Sequence, residues 1–419
     1  MNSYLAPFPD ELLSSWIARR SHGRKEFPDP GPSVAERRQG EWLTADMLPA
    51  HEWLDSWAQQ YDVPKADLRA ATFAERYPGF PLDLIAWRGS PFETDPVLQG
   101  PPRFRLSWCS RCLAEDFAGG RPAHFRQHWA LATMGFCPKH RWPMEDFCVL
   151  CDSYRWALRA PRRGPVRLMC QDCWRPLERS RPACLAVESS QRSWAPVIAF
   201  EQQLQRAAEG RMPDQFRFNC TSALQLLNVT RDVCGVLVYS DERWPVRDRL
   251  INNFVSPDLN PGQRRTYSLS WPLPQPLTMV SSALRRSLLA AAAAIIDHRN
   301  EVNQALFGDD AEPAIEIFVY AAGDRALERY RAMPDRWPPS FYQRVFALHK
   351  RPRHFAMFNR LRRRINAYQK ISESAARWEA LPDMASQPEW PRKVRLKATN
   401  PHGEQEAGHS ADAVQTRLF

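Results

Sequence analysis

Apolar residues in the opening stretch "PFPDELLSSWIARR" fall at Leu12, Leu13, Trp16 and Ile17. That spacing makes one helical stripe, and it predicts a helix with Asp10 as N-cap and Arg19 and Arg20 at its C-terminal end. Residues 21–45 lose the pattern; they are polar and proline-rich and read as a loop. The pattern returns in "HEWLDSWAQQYDVPKADLRAATFAERY", where Trp53, Leu54, Trp57, Ala58 and Tyr61 fit one helix. "DVP" is a turn, and a second helix begins near Pro64 with Leu68 and Ala71 facing a core. Helix, short turn, helix fits a helix-turn-helix unit, in which Lys65 and Arg69 would touch phosphate. It fits equally a plain αα-hairpin that uses those residues as a solvated face.

Residues 78–107 form a proline-rich connection. From Pro196 onward the pattern is mostly helical. Pro196 suits a first turn and Gly210 an end, and Leu224, Leu226 and Leu227 take helical positions. "SSALRRSLLAAAAAIIDHRNEVNQAL" is the longest helix candidate, with Ser281 or Ser282 as cap. Phe341, Tyr342, Phe346, Phe355, Phe358 and Tyr368 recur at helical spacing and read as core. From about Asp383 the chain is polar and expected to be disordered.

The patterning therefore predicts a mainly α, multi-domain protein. Its parts are an N-terminal helix-turn-helix-like region (1–103), a cysteine-rich region (104–181), a helical C-terminal domain (182–382) and a tail (383–419). A length of 419 residues is too great for one small core. The longest apolar run, Leu288–Ile296, is about half the roughly 20 residues a membrane crossing needs, so it reads as a buried helix. The N-terminus lacks a basic start followed by an apolar core, so no secretory signal is expected. The expected compartment is the reducing cytoplasm, where ten cysteines should be thiols or metal ligands.

Seven of those cysteines and one histidine form four short pairs: Cys109/Cys112, Cys137/His140, Cys148/Cys151 and Cys170/Cys173. Two residues between ligands let a tight turn aim both side chains at one ion, and eight ligands suit two tetrahedral Zn²⁺. Sequential pairing leaves gaps of 24 and 18 residues, the second within the range of a Cys₄ zinc site. Nested pairing would close Cys137, His140, Cys148 and Cys151 across 7 residues and leave the outer pairs to meet across 57, a costlier loop. A crossed arrangement is the third option; the spacing favours the sequential one. Four protein ligands leave no position open for water, so both sites read as structural, as two tandem zinc-ribbon or zinc-finger modules. Asp116, Glu145 and Asp146 lie nearby in sequence and read as solvated loop residues. Cys184, Cys220 and Cys234 have no paired partner and read as ordinary thiols.

The net charge is +10 and the pI about 9.2, which favours an anionic partner such as DNA. Two clusters carry the excess. Residues 152–181 hold Arg155, Arg159, Arg162, Arg163, Arg167, Arg175, Arg179 and Arg181 against only Asp152, Asp172 and Glu178. Some of these arginines would only neutralise the thiolate-rich sites. Within the loop "RAPRRGPVR", however, Arg159, Arg162, Arg163 and Arg167 are candidates for nucleic-acid backbone contact. Residues 337–372 hold nine Lys or Arg and no acid. Arg351, Arg353, Arg360, Arg362, Arg363 and Arg364 are the candidates there for a nucleic-acid or acidic-protein surface, because a merely solvated face mixes signs. No phosphate-cradling glycine loop appears, and neither G-x-S-x-G nor H-E-x-x-H is present, so no nucleotide-hydrolysing or acyl-transfer site is expected.

"PFPDELLSSWIAR", then "WCSRCLAED", "HWALATMGFCPKH" and "CVLC" in this order resemble the TniQ (TnsD-like) family. The resemblance is specific over about residues 5–20 and 104–151. It implies a transposition accessory protein, not an enzyme, that selects the insertion site and helps recruit an AAA+ ATPase. Some such proteins bind a DNA site directly; others dock on a CRISPR effector complex, often as dimers. The resemblance also implies one zinc site at Cys109, Cys112, Cys137 and His140 and another at the later four cysteines. The long polar segment around 21–45 departs from the family pattern. The competing reading of the residues is a zinc-stabilised DNA-binding transcriptional regulator.

Overall fold

The computed structural model describes residues 6–20, 46–47, 49, 51–86, 106–153, 156–159, 164–178, 194–238, 277–307 and 314–349. These residues are mainly helical, and all belong to the compact unit Met1–Pro352. The segment 21–45, Cys184, the tail from 383, and Arg162, Arg163, Arg351, Arg353, Arg360, Arg362, Arg363 and Arg364 lie outside them.

Helix α1 (Leu13–Arg20) buries Leu13, Trp16 and Ile17 against α2 (His51–Tyr61) and α3 (Lys65–Ala70). Leu54, Trp57, Tyr61, Val63, Leu68 and Ala71 complete this small cluster, and Trp16 meets Tyr61 edge-on with ring centroids 5.1 Å apart. The turn between α2 and α3 passes through Asp62 in the left-handed region (φ 53°). Lys65 contacts Asp55 at 2.5 Å and Arg69 contacts Glu75 at 3.5 Å. Both cations suggested for phosphate therefore already face a carboxylate, although exposed pairs of this kind hold weakly.

Asp10 does not cap α1. Its oxygens lie 3.3 Å from His124 Nε2 and 3.3 Å from Arg126 Nε. The cap comes from a distant residue. The backbone N–H of Ser14 donates to Asp46 Oδ1 at 2.7 Å, and its hydroxyl donates to Oδ2 at 2.5 Å. A carboxylate there satisfies otherwise orphaned first-turn donors.

Leu12 belongs to a second, larger apolar cluster that runs without interruption to Phe346. It takes in α4 (Phe73–Arg76), the cysteine-rich region with α5 (Ser110–Ala118), and the strands β1 (Trp156–Arg159) and β2 (Arg167–Cys170). The strands pair antiparallel, with Trp156 opposite Cys170 and Arg159 opposite Arg167.

The C-terminal helices close over this cluster: α6 (Ala195–Ala208), α7 (Gln215–Phe218), α8 (Ala223–Val238), α9 (Ser282–Ile296), α10 (Glu301–Phe307), α11 (Ala314–Arg331) and α12 (Pro339–His349). Every residue of α9 is buried, and α6, α8, α10 and α11 all pack on it. Its run Ala290–Ala294 lets neighbouring backbones approach closely. A helix that is apolar on most sides belongs at a centre, not at a surface. Ser281 is its cap, accepting from the N–H of Leu284 at 3.2 Å.

The helix ends at Ile296 and does not continue to Leu306 as the pattern suggests. The carboxylate of Asp297 accepts from Arg217 Nη2 at 2.7 Å and from the N–H groups of Arg299 and Val302. Those bonds turn the chain and start α10. Among the described helices none is long and apolar enough to cross a membrane. Phe341 and Phe346 on α12 are core, as their spacing predicts.

Candidate metal centres

The eight paired residues form two groups. Cys109, Cys112, Cys137 and His140 make one, and Cys148, Cys151, Cys170 and Cys173 the other; within each group the ligand atoms all lie within 4.8 Å of one another. The grouping is sequential, not nested or crossed. In the first, His140 Nδ1 is 3.5, 3.2 and 3.6 Å from the sulfurs of Cys109, Cys112 and Cys137, and Cys112 Sγ is 3.6 Å from Cys137 Sγ. In the second, Cys148 is 3.6 Å from Cys173 and Cys151 is 3.5 Å from Cys170, Sγ to Sγ. A tetrahedron with Zn–S near 2.3 Å and Zn–N near 2.0 Å has edges of about 3.8 Å for S···S and about 3.5 Å for S···N. Both donor sets therefore fit a zinc ion. Without a cation the thiols compete: hydrogen bonding with Cys109 and Cys137, followed by burial, pushes Cys112 far above its ordinary value.

Local backbone explains how such short segments aim their ligands. Three of the four pairs share one knuckle. The N–H of its first cysteine donates to the carbonyl five residues on: Cys137 to Trp142 at 2.8 Å, Cys148 to Ser153 at 2.7 Å and Cys170 to Arg175 at 2.9 Å. The residue after the second ligand then sits in the left-handed region: Arg141 (φ 51°), Asp152 (φ 60°) and Trp174 (φ 55°). The fourth pair differs. Cys109 is the residue before α5 and Cys112 lies in its first turn, so a helix N-terminus presents both sulfurs.

The two centres differ in their surroundings. The first is built into the core. His140 Nε2 is 2.7 Å from Glu115 Oε1, and Glu115 also meets Lys139. Lys139 and then His140 hold the Glu115 carboxyl down to about 2. Trp108 and Glu145 exchange two backbone hydrogen bonds at 2.8 and 2.9 Å, and Arg111 stacks on Trp142 at 3.6 Å. The hairpin carrying Cys137 and His140 is clamped to the C-terminal helices. Glu201 on α6 accepts from the N–H groups of Gly135 and Phe136, each at 2.9 Å. Arg286 on α9 donates to the carbonyl of Met144 at 2.6 Å, and Asp146 accepts from the N–H and hydroxyl of Ser282. Gly135 is required there, because a Cβ would overlap Arg286 Cγ and come within 3.0 Å of Glu201 Oε1. The second centre lies on the β1–β2 hairpin, with Cys148 and Cys170 buried but Cys151 exposed.

The acids near these centres are not solvated, which corrects the sequence reading. Asp116, Glu145 and Asp146 are all buried. Asp116 accepts from Arg126 Nη2 at 3.1 and 2.9 Å and contacts Arg121 at 3.1 Å. Glu115, Glu201 and Asp46 escaped the sequence reading because each acts on a partner that only the fold brings near. Glu115 alone carried a local signal: it lies three residues after Cys112, within helical reach of the ligand pair.

Of the cations suggested for nucleic acid, Arg159 is exposed and lies over the Trp174 ring at 5.5 Å. Arg167 is engaged, bonded to Glu178 through Nε at 2.8 Å and stacked on Phe117 at 4.1 Å. Cys220 and Cys234 are buried, and burial raises both thiols, Cys220 to about 12.

Residues 3–144, about a third of the chain, match the TniQ family model. No curated protein matches the chain.

Proposed function

We propose, for a chain that carries a TniQ domain, a role as the target-selection adaptor of a transposition system. The TniQ family is associated with transposition. In this reading the chain binds the target, either as DNA or through a CRISPR effector complex, and recruits an AAA+ ATPase that engages the transposase. It performs no reaction itself. Homodimers and a cytoplasmic location belong to the same reading.

Besides the family match, one observation supports an adaptor over an enzyme. Each donor group offers four strong protein ligands at tetrahedral spacing. An ion so held has no coordination position left for water or substrate. Cys109, Cys112, Cys137 and His140 would hold one Zn²⁺, and Cys148, Cys151, Cys170 and Cys173 a second. The metal would supply folding energy and no chemistry. The first module hydrogen-bonds to Leu12 at the entry to α1 on one side and to α6 and α9 on the other. A recognition surface and a recruitment surface would thus share one rigid frame. Nucleic-acid contact by Arg159, Arg162, Arg163 and Arg167, and by Arg351, Arg353, Arg360, Arg362, Arg363 and Arg364, is part of the proposal.

The test is a reconstituted transposition assay with and without this chain, together with co-purification of the cognate ATPase. The reading expects targeted insertion to need the chain and the ATPase to be retained. Undiminished, correctly placed insertion without it would sink the adaptor role.

A further inference from the structure

The two donor groups differ in how solvent reaches their sulfurs. Cys109, Cys112 and Cys137 are all buried, and the fourth donor of that group is a histidine, which forms no disulfide. His140 is braced by Glu115 at 2.7 Å, and the hairpin that carries it is clamped by Glu201 and Arg286. The later group consists of four sulfurs. Cys148 and Cys170 are buried there, but Cys151 is exposed and Cys173 half-buried.

Access from solvent and a neighbouring sulfur together favour oxidation of a thiolate to a disulfide. Cys151 has both. Its side chain is open to solvent, and Cys170 Sγ lies 3.5 Å from its own sulfur. A zinc ion would hold these sulfurs as thiolates, the form that attacks an oxidant. In the first group Cys112 and Cys137 are just as near, at 3.6 Å, but both are buried. Proximity is thus common to the two groups, and access is not.

We propose that Cys151 and Cys170 form an oxidisable clasp: a hydroperoxide converts this exposed–buried pair to a disulfide and frees the second zinc, while the first stays bound. The Cys151 thiolate attacks one oxygen of hydrogen peroxide, the O–O bond breaks and hydroxide leaves. The Cys170 thiolate then attacks the sulfur of the resulting sulfenic acid. The S–S bond forms, the S–O bond breaks and a second hydroxide leaves. The two thiolates lose two electrons, and the peroxide is reduced to two hydroxides. Cys148 and Cys173 alone remain as ligands, too few to hold the ion. A dithiol reductant restores both thiolates by exchange. Metal loss loosens the knuckles that close the β1–β2 hairpin, and with them the module that carries Arg159. The proposal rests on Cys148, Cys151, Cys170 and Cys173 holding zinc, and it does not depend on the adaptor role.

The full-length chain is loaded with zinc, and its metal content is measured first. It is then titrated with hydrogen peroxide. Native mass spectrometry counts the ions that remain, and tryptic mapping after alkylation of the unfolded chain locates the disulfide. The expected result is loss of one ion of two and a crosslink between the peptides that carry Cys151 and Cys170. Cys109, Cys112 and Cys137 should still be alkylated as thiols. Dithiothreitol with added zinc should restore the second ion. Cys151→His keeps four ligands, repeats the donor set of the first centre and removes the exposed sulfur. It should bind two ions and release the second severalfold more slowly.

A chain with no ion at the second group would sink the zinc reading before any oxidant is added, and this proposal with it. Where two ions are bound, their simultaneous loss would overturn this proposal alone. So would metal loss without the Cys151–Cys170 crosslink, or release from Cys151→His at the parent rate.

Discussion

His140 Nε2 sits 2.7 Å from the Glu115 carboxylate while its Nδ1 faces three cysteine sulfurs. The carboxylate thereby holds the ring with Nδ1 toward the sulfurs. Glu115→Ala should lower affinity at the first centre about 10- to 100-fold. Competition with a chromophoric chelator measures this. One of two ions should become labile while the other is held as in the parent chain.

The sequential grouping gives the two centres separate fates. Cys170→Ser should keep one ion, bound at Cys109, Cys112, Cys137 and His140, and native mass spectrometry counts it. Amide exchange should rise across the β1–β2 hairpin and its knuckles but not across α5. Cys109→Ser should lower the melting temperature more, because all three cysteines of the first centre are buried whereas Cys151 of the second is exposed.

Glu201 is fully buried, and burial raises its carboxyl to about 8 despite two backbone N–H donors and the charges of Arg286 and Arg285. A carboxyl raised in the folded state binds more protons there than in the unfolded chain. Its contribution is therefore fully present below about 4.5 and is lost as pH rises through about 8. At saturating zinc, stability should fall over that window by on the order of a few kcal/mol. Glu201→Gln should flatten the dependence, because its amide mimics the protonated form. Glu201→Ala should destabilise at every pH, since each stranded N–H costs about 1–3 kcal/mol. Denaturant melts across the pH range distinguish the three chains.

Asp116 and Arg126 are buried together, with Asp10 and His124 beside them. Asp116→Asn should cost somewhat less than the about 3–5 kcal/mol of breaking a buried ion pair, because Asp10 still faces Arg126 Nε at 3.3 Å. Adding Arg126→Met should recover part of that loss, and a double-mutant cycle in urea reads the coupling.

The two groups of cysteines and histidine were legible in the sequence because their spacing is local. A knuckle needs only a few consecutive residues, and ligand spacing records it. The stripe on α1 was legible for the same reason, although it conceals a division: Leu13 and Leu12, adjacent in the chain, enter different clusters. What the sequence hid depends on partners far along the chain. Asp46 caps a helix 32 residues before it, and Asp146 receives Ser282 from 136 residues away. Asp116 looked like a loop carboxylate because nothing nearby in the sequence says that Arg126 will be buried against it. The left-handed knuckle positions were hidden too, because none of the three is a glycine.

The clamp of the Gly135–Asp146 hairpin on Glu201, Ser282 and Arg286 also fixes where this chain tolerates being cut. A break near residue 144 would part a carbonyl from Arg286 and strip the cover from a helix buried along its whole length. Neither piece would be a free-standing module. Each would carry the other's missing face as an adhesive surface, and the two should aggregate unless they are made together.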